Sequence, residues 1–146
     1  MLRLGRNNFR RMSRGGCRFM GTFIVQPRRK VIVAGSRDFN DYGLVCRTLN
    51  ELFGAFSIEI VSGGARGADR LGEQYADDHW IPKTVFPADW DKYGKSAGYR
   101  RNEQMAQYAE VLVAFWDYNS PGTRHMINLA KQYNLEVHVI DTRKEI

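Results

Sequence analysis

The 146-residue chain has few of the residues that build disulfide frameworks and metal centres. There are two cysteines, Cys17 and Cys46, and three histidines, His79, His125 and His138, all far apart in sequence. Neither set has ligand spacing, so no metal site is expected, and the sparse cysteine fits a reducing cytoplasm. No apolar run approaches the length of a membrane span, so no membrane partner is expected. Acid is missing from one region only. Residues 1–30 hold nine basic residues and no acid, while the rest of the chain holds 13 basic and 16 acidic residues. The formal net charge of +6 therefore belongs to the N-terminal stretch, and the remainder is mildly acidic.

That stretch, residues 1–29, reads as a disordered basic tail, because low hydrophobicity with charge of one sign cannot build a core. Three readings of it are open. It binds nucleic acid through counterion release; it is a transit peptide, against which its poor helical amphipathicity counts; or it is a leader that is not native. Arg14-Gly15-Gly16 stands shortly before Met20. Purine-rich codons for such a triplet resemble a bacterial ribosome-binding site read in frame. This third reading is preferred, and it places the natural start at Met20.

Beyond the tail, a 43% hydrophobic fraction suits one domain with a real core, residues 30–146. The stretch Ile58–Asp69 organises it. An apolar, β-branched run breaks at Ser62-Gly63-Gly64. After Gly67 a helical pattern follows (Ala68, Leu71, Gly72, Tyr75, Ala76). This spells a strand, a glycine-rich turn and a helix N-terminus, whose unpartnered N–H groups and dipole suit a phosphate. The same residues would also serve as a plain tight turn.

Two further loops share the pattern. Lys30–Ala34 reads as a buried strand, ending in Gly35-Ser36-Arg37-Asp38, with Asn40 or Asp41 able to cap the next helix. Glu110–Trp116 reads as a strand running into the loop Asp117–Gly122, and Thr123 opens a helix. Trp80–Phe86 is expected to be a strand, Tyr99–Tyr108 a helix, and Glu136–Ile140 the last strand. Ala88–Gly98 has no periodicity and is expected to be an irregular functional loop. Five strands and four helices in alternation predict a single α/β, Rossmann-like three-layer domain: a five-stranded, mostly parallel sheet with helices on both faces. The three loops then meet at the C-terminal edge of the sheet, where such folds bind ligands.

The segments Val31–Asp38, Ser62–Asp69, Phe86–Trp90, Gly94–Gly98 and Arg101-Asn102 resemble the SLOG superfamily, most closely its YspA, or YpsA-related, branch. The resemblance spans Lys30 to Asp141. Relatives include the LOG phosphoribohydrolases and DprA, which binds single-stranded DNA. It implies a Rossmann-like fold and a nucleotide-built ligand. Gly35, Ser36 and Arg37 match the first-strand loop. Ser62, Gly63, Gly64 and Gly67 match the phosphate-side glycine loop, and Asp69 an acidic helix-start position. Arg101-Asn102 resembles an Arg-Asn pair that DprA also has. Arginine suits phosphate because its fork is bidentate, and a cation at a helix N-terminus otherwise opposes the dipole. Asn119–Thr123 resembles a shortened LOG loop, with Gly122 and Thr123 aligned and Ser120 beside them.

The LOG catalytic glutamate falls at Met126, and a thioether cannot act as acid or base, so LOG-type hydrolysis is not expected. Asp89, Asp91 or Asp117 remain as carboxylates. Trp90 is expected at the site, as a ring that stacks on a base, with Asp89 nearby and Lys95 or Lys92 neutralising phosphate; Trp116 is expected in the core. The sequence thus predicts a domain that binds a nucleotide or nucleotide-derived ligand, as a sensor or an N-glycosidic-type hydrolase. The alternative is a DprA-like single-stranded DNA binder. A Mg²⁺ ion arriving with a nucleotide would need no motif of its own, and pairing into a homo-oligomer is left open.

Overall fold

The computed structural model describes residues 28–143. The basic tail, Cys17 and the Met20 start lie outside those residues, apart from Arg28 and Arg29. The described chain runs β1 (Arg29–Gly35), α1 (Tyr42–Phe53), β2 (Ile58–Ser62), α2 (Ala68–Asp78), β3 (Lys83–Val85), α3 (Trp90–Tyr93), a 3-10 turn (Gly94–Ser96), α4 (Ala97–Tyr108), β4 (Val111–Trp116), α5 (Pro121–Gln132) and β5 (Glu136–Asp141).

The five strands form one sheet in the order β3-β2-β1-β4-β5, and every pairing is parallel. Alternation along the strands splits the core in two. Val31, Val33, Ile60, Val113 and Phe115 face α1 and α2. Ile32, Ala34, Val61, Leu112 and Ala114 face α4 and α5. All six residues of β4 are buried, as a central strand covered on both faces requires. Each such Val, Leu or Ile contributes about 1.5–3 kcal/mol through burial. The predicted single α/β domain, with helices on both faces of its sheet, is thus the observed one.

Local boundaries differ at two places. The strand expected over Trp80–Phe86 is only three residues long. Trp80 takes a positive φ of 57°, and Pro82 has no N–H to give to a ladder, though its carbonyl accepts from Ile60 N–H at 2.9 Å. The segment expected to be irregular, Ala88–Gly98, is largely helical. The Asp89 side chain accepts from the Lys92 N–H at 3.1 Å and starts α3, and the 3-10 turn leads straight into α4. One helical turn is too short to show periodicity, so five helices stand where four were expected. At the first helix, Asp41 is the cap, accepting from Leu44 N–H at 3.0 Å. Among the described residues no helix is long and apolar enough to cross a membrane, and no cluster of three or more His, Cys, Asp or Glu could hold a metal.

Candidate functional site

Strand order reverses between β1 and β4, and the chain leaves both strands at the C-terminal edge of the sheet. There the three glycine-bearing loops surround a groove. It consists of two adjoining cavities of about 630 and 530 Å³ that share Arg37, Ala65, Arg66 and Arg101. The larger lies towards β3 and is closed by Val85, Pro87, Ala88 and Trp90. The smaller lies over the reversal and is lined by Gly35, Ser36, Asp69, Asn102, Ser120, Gly122, Thr123 and Met126 among others.

The first two loops are locked together. A Cβ on Gly67, whose φ is +84°, would overlap the Ser36 carbonyl oxygen, and a Cβ on Gly35 would overlap that of Phe115. The Ser36 carbonyl accepts from both Phe39 N–H (3.2 Å) and Ala68 N–H (3.3 Å), which ties the first loop to the start of α2. Gly67 caps α2 without any side-chain hydrogen bond.

Arg101, in the second turn of α4, reaches back across the groove floor. Its guanidinium donates to the Gly63 carbonyl, and its Nε donates to Asn102 Oδ1 at 3.0 Å. The buried Asn102 in turn sets Nδ2 3.2 Å from Nδ1 of His125 on α5. Burial lowers the Arg101 pKa, Asp69 partly offsets this, and Arg37 adds to the lowering. Arg100, its neighbour, turns away, with its guanidinium 4.2 Å from the Tyr93 ring centroid.

Asp69 lies beneath Gly63. Its carboxylate accepts from Ala65 N–H at 3.3 Å, and its pKa is raised from 3.8 to about 6. Burial is the main cause, and Glu73 adds to it. The Ala65 and Gly63 N–H groups and Arg101 pull the other way. Ser62 is fully buried: its hydroxyl donates to Glu73 Oε2 at 2.6 Å and accepts from Gly64 N–H at 3.0 Å.

The structure brings most of the predicted residues to the groove, but gives several a supporting part. Ser62 and Gly67 stand behind the lining and hold the turn. Ser120 is the N-cap of α5, accepting from Thr123 N–H at 3.4 Å, while Asp117 Oδ1 accepts from Asn119 and Ser120 N–H. Asp89 and Lys95 are not brought to it: Asp89 caps α3, and Lys95 is an exposed residue of the 3-10 turn. Trp90 borders the larger cavity and is half exposed, whereas Trp116 is buried and donates its indole N–H to the Ser120 carbonyl at 3.1 Å. Sequence reasoning missed Arg66, Arg70 and Glu73, which all line the larger cavity. Arg70, like Arg101, is a cation near a helix N-terminus, a pattern present in the sequence; it stands in the first turn of α2, and its Nε donates to the Gly64 carbonyl at 3.2 Å.

Comparison with known proteins agrees with this architecture. A family model described as YAcAr, the YspA, cpYpsA-related SLOG family, matches residues 29–93. The Gene 61 protein of Mycobacterium phage D29 is 34% identical over 117 residues, an overlap of 75% of this chain and 94% of that protein. Among solved structures, DNA processing protein A (DprA) from Streptococcus pneumoniae is similar in fold, with a TM-score of 0.63 at 17% identity. That match covers 77% of this chain and 50% of the other. The chain belongs to the YspA, cpYpsA-related SLOG family.

Proposed function

We propose that the groove binds a nucleotide or nucleotide-derived ligand, with its phosphate at the Gly64–Arg66 turn and the start of α2. One observation carries this reading. Four arginines, Arg37, Arg66, Arg70 and Arg101, converge on that turn. Of these four, only Arg66 has a carboxylate of the described residues within ion-pair distance, and that contact, to Asp38, is 3.8 Å long between exposed groups. Cations gathered at a helix N-terminus repel one another and oppose its dipole, and an anion placed between them removes both costs. Arg101 is held ready by its two backbone and side-chain acceptors. Binding or sensing, rather than LOG-type hydrolysis, fits the buried Met126 at the position of the LOG glutamate.

A second reading is single-stranded nucleic acid laid along the groove. The fold it shares with a DNA processing protein favours it. The acidic balance of residues 31–146 opposes it, because phosphate neutralisation dominates such binding.

The test is thermal unfolding of the full chain with nucleoside mono-, di- and triphosphates, ADP-ribose and its cyclic forms, and a short single-stranded oligonucleotide. A ligand at 100 times its Kd stabilises by about 2.7 kcal/mol, a rise of several degrees. A rise with one class of small nucleotide supports the first reading. A rise with the oligonucleotide alone, lost as salt increases, replaces it with the second.

A further inference from the structure

The arginine groove contains one group of the wrong sign for phosphate. Among the described residues lining the larger cavity, Glu73 is the one carboxylate. Among the described residues no arginine or lysine lies within ion-pair distance of it, although four arginines line the same cavity; Arg70 donates to the Gly64 carbonyl instead. Glu73 is also fixed in place. Its Oε2 accepts the hydroxyl of the buried Ser62, which leaves Oε1 with no protein donor among the described residues. A carboxylate held this way can only accept hydrogen bonds, and its charge repels a second phosphate.

From this we infer that Glu73 selects ligands by the hydroxyl groups of a ribose. The inference rests on the phosphate reading of the groove and adds the sugar to it. Position decides between sugar and base. Ser62 Oγ bridges Glu73 Oε2 (2.6 Å) and Gly64 N–H (3.0 Å), so the carboxylate is only two hydrogen bonds from the turn that takes the phosphate. That is about the width of one sugar ring. A base joined to that sugar has Pro87 and Trp90, which line the same cavity, as apolar surface to pack on. A cis-diol offers two donors to one carboxylate. A ligand without them leaves Oε1 desolvated and unpaired, the situation in which a polar site discriminates strongly.

The experiment is isothermal titration of the full chain with AMP, UMP and IMP, with 2′,3′-dideoxy-AMP and 2′,3′-dideoxy-UMP, and with inorganic pyrophosphate. AMP and UMP should each bind about tenfold or more tightly than the matching dideoxynucleotide. IMP should bind like AMP. Glu73→Gln retains an acceptor for Ser62, and Glu73→Asp withdraws the carboxylate by one methylene. Both should shrink the ribo-to-dideoxy ratio towards one without weakening the dideoxy ligands. Equal affinity for ribo and dideoxy ligands in the unaltered protein overturns the inference, as does a ratio that survives both variants. A preference for AMP over IMP that Glu73→Gln abolishes assigns the residue to the base and overturns it too. If ribo and dideoxy forms bind equally and Arg101→Ala weakens both, the phosphate reading stands and sugar selection falls. If none of these compounds binds, pyrophosphate included, both fall together.

Discussion

Arg101 and Asp69 hold Gly63 between them: a Cβ on that glycine would lie 2.8 Å from Arg101 Nη1 and 2.8 Å from Asp69 Oδ2. The two side chains grip the turn through opposite groups. Arg101 takes the Gly63 carbonyl, and Asp69 takes the Ala65 N–H. The opposite charges are thus kept apart by backbone instead of forming an ion pair, and the guanidinium stays available to the groove. A turn built this way is fixed before any ligand arrives, with the Gly64 and Ala65 N–H groups used inside the protein and the arginines facing the groove, which reduces the ordering cost of binding.

Glycine is needed at positions 63 and 67 for different reasons, and alanine should separate them. The nearest atoms that Gly63→Ala meets belong to two side chains, Arg101 and the buried Asp69, and not to backbone. Its stability loss should be small, while pyrophosphate or nucleotide affinity falls because Arg101 is displaced. Gly67→Ala meets the backbone of Ser36 and Arg37 at a positive φ. It should cost about 1–3 kcal/mol of stability. Urea titration and calorimetry on both variants check the ordering, and a larger stability loss at position 63 would contradict it.

Asp69 should leave a signature in the pH dependence of stability. Its pKa is raised from 3.8 to about 6, mainly by burial, so between those values the folded state binds more protons than the unfolded one. The stability contribution of Asp69 therefore falls as pH rises from about 4 to about 6, and it is constant above that window. The full difference corresponds to about 3 kcal/mol. Asp69→Asn keeps an acceptor for Ala65 N–H and has no charge to bury. Near pH 4 the two proteins should be about equally stable, and near pH 8 the variant should be the more stable. Denaturant titrations across pH 4–8 on both proteins measure the difference. A difference that does not change with pH would show that Asp69 is not the titrating group.

Arg101→Ala should weaken binding of a phosphate-bearing ligand about 10- to 100-fold, with the fold retained, because the lost group is a charge-assisted donor in a partly buried place. Arg101→Lys should rescue little. One ammonium cannot reproduce the planar fork that meets Gly63 and Asn102 together. Titration calorimetry with pyrophosphate distinguishes the cases; full affinity of the lysine variant would show that charge alone matters.

The sheet was legible in the sequence because Val31–Ala34 of β1 and all of β4 are unbroken apolar runs, and β2 is a β-branched run interrupted only by Glu59, each ending at a glycine or polar loop. Arg101 was legible too, since a cation near a helix N-terminus conflicts with the dipole unless an anion is present. Arg70 and Glu73 were not found, because their importance depends on which side of α2 turns to the groove, and Arg66 was not, because the path of the loop before α2 decides where it points; both are facts of tertiary packing. Asp89 and Lys95 misled for a related reason. Their polar, aromatic-rich segment resembles a ligand loop, yet it spends Asp89 on capping one helical turn. Ser62 matched a site motif, but its hydroxyl works inside the protein, on Glu73 and Gly64.

His125 supports the site from behind, and its protonation state is fixed by geometry. Asn102 uses Oδ1 to accept from Arg101, so its Nδ2 must donate to His125 Nδ1, 3.2 Å away. Nδ1 is therefore the acceptor, and the ring proton sits on Nε2. Burial lowers the pKa of this histidine, only partly offset by Glu103. A lowered folded-state pKa gives a contribution that is present above the ordinary histidine value of about 6.5 and lost as pH falls through the folded one. Acidification should then remove the acceptor, release the Asn102 amide and loosen Arg101. Nitrogen-detected NMR of the ring should show the Nε2–H tautomer and a titration midpoint below that of a free histidine. His125→Ala should weaken nucleotide binding at neutral pH by less than Arg101→Ala does, and should reduce the loss of binding on acidification. A ring that carries its proton on Nδ1 at neutral pH would break the chain from His125 to Arg101.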